Sequence, residues 1–324
     1  MKQNRTRPKL RTIIRWVVWV LLAQFVLLNI SAAFYAYKFT HLYSAAEYPN
    51  RSNSENIFSK TWRIFSGARL YKRPETDTPS FPHTIITLKA KKNISLEAWY
   101  SPVDSAIGTV ILFHGLSGNK GLLLDVANEF RNRNYNILLV DARAHGNSTG
   151  SVTTIGYFEA EDVRLAYDYI RQQGEKNIYL WGASMGAVEI IKAVADYELK
   201  PKGIIAEMPF RSLYMHVKAR MRSVGLPKQP FAFFITFWMG AEQGFNAFGF
   251  NSMKYAEKIT CPVLLQCGDN DHLVSTDEIK DIYNSLAVDN KKLVWYEGLG
   301  HQSFLQADPA QWRNEIGEFL LRTR

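Results

Sequence analysis

The stretch that decides the fold is Gly182-Ala183-Ser184-Met185-Gly186. It follows residues 176–181, whose apolar run predicts a short buried strand, and precedes residues 187–195, which have the pattern of a helix. A Gly-x-Ser-x-Gly at a strand-to-helix turn is typical of a nucleophile elbow, in which the residues two before and two after the serine must be small. The pentapeptide alone also fits an ordinary small-residue turn that packs a helix on a sheet, so its context must decide.

Composition places the chain among globular proteins, because 47% of its 324 residues are apolar and 21% are charged. The formal net charge is +9, but six of the basic residues precede position 16 with no acid among them, which leaves +3 for the rest. The high charge therefore describes a short basic tail. No concentrated basic stripe follows it, so we expect no nucleic-acid partner.

The two cysteines, Cys261 and Cys267, flank one apolar run. If that run is a strand, its ends lie about 20 Å apart, whereas a disulfide requires Cα atoms within about 7 Å. We expect two free, buried thiols.

Residues 16–37 form the next distinctive segment, an apolar run long enough to cross a membrane as a helix. Trp16 and Trp19 at one end and aromatic residues near Tyr37 at the other fit the two interfacial belts. The basic tail predicts a cytoplasmic N-terminus and an extracytoplasmic body that is periplasmic, luminal or extracellular. The alternative is a cleaved signal peptide, since Ser31-Ala32-Ala33 offers small residues. The apolar run continues past Ala33, which favours an uncleaved anchor.

The chain divides accordingly into a tail at 1–15, an anchor at 16–37, a stalk at 38–80 and one large domain at 81–324. Residues 50–56 of the stalk are polar and typical of turns. Residues 57–65 mix aromatic and basic side chains at helical spacing. This segment could lie on the membrane surface or pack on its own domain, and we favour the second.

From residue 84 the pattern becomes regular. Residues 84–88 and 94–100 alternate and predict an antiparallel hairpin. Uniformly apolar runs then alternate with helical patterns, which indicates a mostly parallel, doubly wound α/β sheet with helices on both faces. The cap insertion, residues 211–258, breaks this alternation and is rich in aromatic residues. We expect it to be helical, its aromatics forming its own core or lining an apolar acyl pocket.

Active residues in such a sheet lie at the carboxyl ends of strands. Ser184 follows one strand, and as a nucleophile it needs a base. His301 follows the last strand in a glycine-containing loop, and imidazole can take and return the hydroxyl proton. His272 is the rival base, but it precedes the last strand. The acid that orients the imidazole would be Asp271 or Asp269, both in the loop after another strand.

The oxyanion site requires two backbone N–H groups. One should come from Met185, the residue after the nucleophile, and the other from Leu116, in the loop that follows the strand ending at Phe113. We expect His114 to hold this loop by hydrogen bonding rather than to act as a base.

The chain order Ser184, Asp271, His301 is that of α/β-hydrolases. The body, residues 84–324, resembles that superfamily, particularly its serine aminopeptidase-like and monoacylglycerol lipase-like branch. The matching pieces are the elbow, His114-Gly115 with Ser117-Gly118-Asn119, residues 141–148, Gly268-x-x-Asp271 and Gly300-His301. The resemblance implies the α/β-hydrolase fold and selects Asp271 as the acid. The chain departs from the family at Ala144, where a glycine is usual.

The sequence thus predicts a membrane-anchored serine hydrolase that cleaves a carboxylic ester of a small-molecule or lipid acyl substrate. A serine peptidase or an acyltransferase with the same triad is the near alternative, and a non-catalytic anchored binding module is the alternative of another class. We expect no metal, because no ligand spacing occurs outside the triad residues, and no cofactor, because the triad requires none.

Overall fold

The computed structural model describes residues 7–47 and 56–324. The first six residues of the basic tail and most of the polar stretch at 50–56 lie outside these residues. A 34-residue helix, α1 (Arg7–Thr40), opens the described chain and is longer at both ends than the predicted anchor. Its segment Leu10–Thr40 is long and apolar enough to cross a membrane, since an 18-residue window within it has a mean hydropathy of 2.2. The short strand β1 (Leu42–Tyr43), the helix α2 (Ile57–Ser66) and the strand β2 (Leu70–Tyr71) follow, and β1 pairs with β2 in parallel.

An eight-stranded sheet forms the centre of the body. Its spatial order is β10-β9-β8-β7-β5-β6-β4-β3. The predicted hairpin is confirmed as β3 and β4, and β4 also pairs antiparallel with β6, whereas the remaining pairs are parallel. The strands are β3 (Thr84–Lys89), β4 (Ser95–Ser101), β5 (Thr109–Phe113), β6 (Asn136–Val140), β7 (Ile178–Ala183), β8 (Gly203–Glu207), β9 (Val263–Gly268) and β10 (Lys291–Tyr296).

Helices cover both faces of this sheet, which explains the uniformly apolar strands. Along β5, Val110 and Leu112 belong to one core cluster, whereas Ile111 and Phe113 belong to the other. After α1 and α2, the helices outside the cap are α3 (Leu124–Arg131), α4 (Ala160–Gln172), α5 (Met185–Tyr197), α9 (Thr276–Ser285), α10 (Phe304–Ala307) and α11 (Pro309–Arg322). The predicted α/β-hydrolase fold is confirmed. Cys261 and Cys267 are free and buried, as predicted.

The cap between β8 and β9 is helical, as expected. It contains α6 (Leu213–Ser223), α7 (Phe231–Gln243) and α8 (Ser252–Ala256). Aromatic residues of α7 pack against α1: the ring centroids of Tyr35 and Phe231 lie 5.0 Å apart, and those of Phe25 and Phe234 lie 5.6 Å apart.

Candidate active site

The turn at Ser184 has the geometry of a nucleophile elbow. The strand β7 ends at Ala183 and α5 begins at Met185, so the serine alone joins them, at φ 53° and ψ −112°. This left-handed region is costly for a residue with a side chain. A Cβ at Gly186 would lie 2.3 Å from the Phe113 carbonyl oxygen, and one at Gly182 would lie 2.5 Å from the Gly186 carbonyl carbon. Both positions therefore require glycine, because the strand and the helix meet there without space for a side chain.

Three of the predicted site residues form a hydrogen-bonded chain. The Nε2 atom of His301 lies 2.9 Å from the Ser184 Oγ, and its Nδ1 atom lies 2.7 Å from the Asp271 Oδ2. The Asp271 side chain is nearly buried, and its other oxygen accepts hydrogen bonds from the backbone N–H groups of Leu273 (2.7 Å) and Val274 (3.0 Å). These bonds fix the carboxylate, and the carboxylate in turn fixes the imidazole. The arrangement allows His301 to accept the serine proton while Asp271 stabilises the resulting imidazolium.

The rival residues are engaged elsewhere. Asp269 accepts a hydrogen bond from the Gly298 N–H at 2.7 Å, which joins the β9 and β10 loops. His272 is exposed, and its carbonyl accepts a bond from Arg222. The difference between Asp269 and Asp271 is thus one of tertiary position, since both follow the same strand.

The loop predicted to supply the first oxyanion donor lies against the elbow. A Cβ at Gly115 would be 3.5 Å from the Cβ of Ser184, and Leu116 lines the same cavity as the serine. His114 is buried, its Nδ1 donates to the Gly115 carbonyl at 2.8 Å, and its Nε2 accepts from the Ala142 N–H at 3.2 Å. Burial lowers the pKa of His114, which keeps the ring neutral and able to accept at Nε2. His114 therefore holds the loop, as predicted.

The departure at Ala144 has a structural meaning. This residue has φ 63°, a conformation that glycine adopts more readily than alanine. The backbone conformation at this position therefore suits the glycine that is usual in the family.

A buried lysine cluster supports the same loop, and sequence reasoning missed it. The Lys120 ammonium is fully buried and lies 2.7 Å from Asp141, 2.7 Å from Glu75 and 2.9 Å from Glu97. These three carboxylates could otherwise hold a metal ion, but the ammonium occupies the place between them. Burial lowers the pKa of Lys120, but the carboxylates, Asp141 foremost, outweigh burial and raise it. Asp141 also accepts a bond from the Lys120 N–H at 2.7 Å, so the cluster anchors the end of the loop that contains Leu116.

We predict that Lys120→Met lowers the free energy of unfolding by about 3 kcal/mol or more, because it leaves buried carboxylates without their cation. The melting temperature of the detergent-solubilised protein, measured by intrinsic fluorescence, should fall by roughly 6–12 °C. The matched control is Lys91→Met, which removes an exposed lysine 4.0 Å from Glu161 and should change the melting temperature by about 2 °C or less. Equal melting temperatures for the two variants would contradict a structural role for the cluster.

Ser184 and His301 open onto a cavity of about 500 Å³. Part of its wall is aliphatic, formed by Leu116, Leu122, Leu123, Val126, Met208 and Leu273. None of the cap's phenylalanines or its Trp238 lines this cavity. Phe231 and Phe234 pack against α1, and Phe245 and Phe250 pack against Tyr157. Phe233 packs on Phe234 and Phe248, which fits the first of the two alternatives, a core formed by the cap's own aromatics. The cap contributes His216 and Arg220 to the wall of the cavity.

This fold, with a serine at its elbow, defines the α/β-hydrolase class. The family described as "Serine aminopeptidase, S33" matches residues 104–229 and 248–308, which is more than half of the chain. The chain therefore belongs to the serine aminopeptidase S33 family of α/β-hydrolases. The unmatched stretch between the two segments contains α7.

The chain is similar to several known proteins. It is 27% identical over 244 residues to the lysophosphatidylserine lipase ABHD12 of Danio rerio, with 68% of this chain and 60% of that protein covered. It is 24% identical over 226 residues to a carboxylesterase of Bacillus subtilis, with 65% of this chain and 91% of that protein covered. An esterase structure from Pyrococcus furiosus matches with a TM-score of 0.64 and 25% identity, over 75% of this chain and 92% of that chain. These relatives support hydrolase activity.

Proposed function

We propose that the chain is a membrane-anchored serine hydrolase that cleaves a carboxylic ester. Ser184 attacks the acyl carbonyl while His301 takes its proton and Asp271 orients the imidazole. The N–H groups of Leu116 and Met185 stabilise the oxyanion. The protonated His301 then donates its proton to the leaving alcohol, and the acyl group remains on Ser184. A water molecule activated by His301 releases the acid. No step requires a cofactor.

The observation that carries this proposal is the continuous chain of hydrogen bonds from Asp271 through His301 to a serine held in a strained conformation. Such strain is retained where it exposes a reactive group. The aliphatic wall of the cavity supports an apolar acyl chain as its occupant.

An aminopeptidase is the second candidate, because the cavity also contains an acid. Glu207 is buried, and its Oε1 accepts hydrogen bonds from the indole N–H groups of Trp312 (2.7 Å) and Trp181 (3.2 Å). Burial raises the pKa of Glu207 to about 7. A carboxyl that is partly protonated near neutral pH and already bound to two donors is a weak partner for a substrate ammonium group. We therefore favour the ester.

The experiment compares two substrate series on the detergent-solubilised protein: p-nitrophenyl esters of increasing acyl length and aminoacyl nitroanilides. We expect the esters to be hydrolysed, with kcat/KM rising with chain length, and the nitroanilides to remain intact. Faster cleavage of the nitroanilides would replace the esterase proposal by the peptidase.

Retention of the anchor is part of the proposal. Ala32 and Ala36 are fully buried, the Tyr35 hydroxyl donates to the Ile64 carbonyl at 2.6 Å, and Trp238 Nε1 donates to Asn29 at 3.3 Å. The last turns of α1 are thus packed into the body. Cleavage after Ala33 would remove part of this packing, which supports an uncleaved anchor.

Exposed apolar side chains on the helices next to α1 support the proposal that α1 lies in a membrane. Ile57 and Phe58 on α2 are 75% and 82% exposed, and Phe233 and Phe237 on α7 are 46% and 48% exposed. Apolar surface of this kind beside a spanning helix suits the lipid interface. We propose that α2 and α7 lie at the extracytoplasmic membrane surface.

Topology is tested with two reporters fused after Arg324. Alkaline phosphatase, which is active only outside the cytoplasm, should be active, and a cytoplasm-specific fluorescent reporter should be dark. The mass of the purified protein, measured by mass spectrometry, should equal that of the chain with the residues before Ala33 still present. The opposite pattern of reporters would overturn the orientation, and a mass that lacks these residues would replace the anchor by a signal peptide.

A further inference from the structure

The inner side of α6 presents two polar side chains to the serine cavity. His216 and Arg220, one helical turn apart, both line it together with Ser184. His216 is only 3% exposed, and neither of its ring nitrogens has a hydrogen-bond partner. Arg220 as a whole is half-buried, and its Nε atom is buried without a partner. Within residues 7–47 and 56–324, Arg220 forms no ion pair.

This arrangement is unusual energetically. Buried charges are normally paired, and buried donors are normally hydrogen-bonded, because leaving them unsatisfied is costly. Arg143 shows the usual solution in this chain, since its guanidinium lies 2.6 Å from Asp162 and 2.9 Å from Glu161. An unpaired guanidinium beside a catalytic serine instead suits a ligand that supplies the missing anion.

Neighbouring aromatic rings limit where that ligand can lie. The Phe39 ring, in the last turn of α1, stacks on His216 at a centroid distance of 6.0 Å and lies 5.8 Å from the Arg220 guanidinium carbon. Phe210 packs against His216 at 4.7 Å. These rings hold the two side chains from the protein side, so the free hydrogen-bonding atoms are available to an occupant of the cavity.

The His216 imidazole and the Arg220 guanidinium differ in charge. Burial lowers the pKa of His216 well below its usual range, and the charges of Arg220 and His301 lower it further. The imidazole is therefore neutral. Burial also lowers the pKa of Arg220, but a guanidinium remains charged at physiological pH. The acid in the same cavity, Glu207, is bound to Trp181 and Trp312 and does not pair with Arg220.

We propose that Arg220, assisted by His216, forms a subsite for an anionic oxygen group, a carboxylate or a phosphate, carried by the substrate ester. Guanidinium binds both groups through charge-assisted, often bidentate hydrogen bonds. The preferred substrate is then an acyl ester whose alcohol part is anionic. This inference rests on the proposed ester hydrolysis and specifies its substrate class.

The test uses two esters with the same acyl chain, dodecanoyl glycerol and dodecanoyl glycerol phosphate, in micelles of an uncharged detergent. For the wild-type protein we expect kcat/KM to be about tenfold or more higher for the phosphate. Arg220→Met should lower kcat/KM for the phosphate by about 10- to 100-fold and for the neutral ester by about threefold or less. For Arg220→Lys, kcat/KM for the phosphate should lie between the wild-type and Arg220→Met values, since lysine keeps the charge but cannot form the bidentate hydrogen bonds of a guanidinium.

The matched control is Arg222→Met, because Arg222 is exposed and lies two residues further along the same helix. This variant should leave kcat/KM unchanged for both esters. If Arg220 only packs against Phe39, its variants should lose both activities in parallel, which would overturn the subsite. Equal wild-type rates for the two esters would also overturn it, even if no variant folds. Failure of the wild-type protein to hydrolyse either ester would instead overturn the proposed ester hydrolysis.

Discussion

Ser184→Ala should lower the hydrolysis of a p-nitrophenyl ester by about 10⁴- to 10⁶-fold, because the acyl-enzyme can no longer form. The strained backbone at Ser184 does not depend on the hydroxyl, so the variant should keep its fold. Initial rates measured at equal protein concentration, together with melting temperatures, check both statements.

The control is Ser303→Ala. Ser303 lines the same cavity, but it is exposed, and its hydroxyl caps α10 by accepting from the Gln306 N–H at 3.4 Å. Its loss should cost about 1 kcal/mol of stability at most and little activity. If Ser184→Ala retained activity similar to Ser303→Ala, the hydrolase would use another nucleophile. A folded wild-type protein without any hydrolytic activity would instead indicate an anchored binding module.

Asp271→Asn has the second largest expected effect. An asparagine at this position can hold the imidazole in the wrong tautomer and cannot stabilise the imidazolium, so kcat should fall by about 10⁴-fold. The substitution preserves shape and leaves the elbow untouched. Steady-state kinetics with the same p-nitrophenyl ester provide the measurement.

Asp269→Asn is the matched control, since it lies in the same loop and accepts its hydrogen bond from the Gly298 N–H. The asparagine oxygen can accept the same bond, so kcat should change by about tenfold or less. A larger loss of kcat at Asp269 than at Asp271 would show that Asp269, and not Asp271, orients the imidazole.

Much of this architecture could be predicted because it depends on local patterns. Residues 110–113 and 178–181 are apolar at every position, which indicates strands covered on both faces. The elbow needs glycines at fixed positions because two backbones meet there. The choice of Asp271 over Asp269 could not be made from the residues alone and needed the family's spacing.

The remaining features depend on contacts between distant residues. Lys120 contacts Glu75, Glu97 and Asp141 only after the chain has folded. The residues next to Lys120 in the sequence do not indicate that it pairs with three acids. The sequence also does not show which face of α1 packs on the body, since the helix is apolar on all sides. The small residues Ala32 and Ala36, four apart, are the signal that could have indicated it. Arg220 lies among Lys218 and Arg222 in a run typical of a solvated face.

The proposed function requires that Ser184 is the reactive nucleophile of a hydrolase. The most direct measurement is fluorophosphonate labelling of the intact, detergent-solubilised protein, followed by proteolysis and mass spectrometry to locate the adduct. We predict a single adduct on Ser184, with labelling lost in Ser184→Ala and His301→Ala and kept in His272→Ala. An adduct on any other residue, or no adduct on the folded wild-type protein, would contradict it.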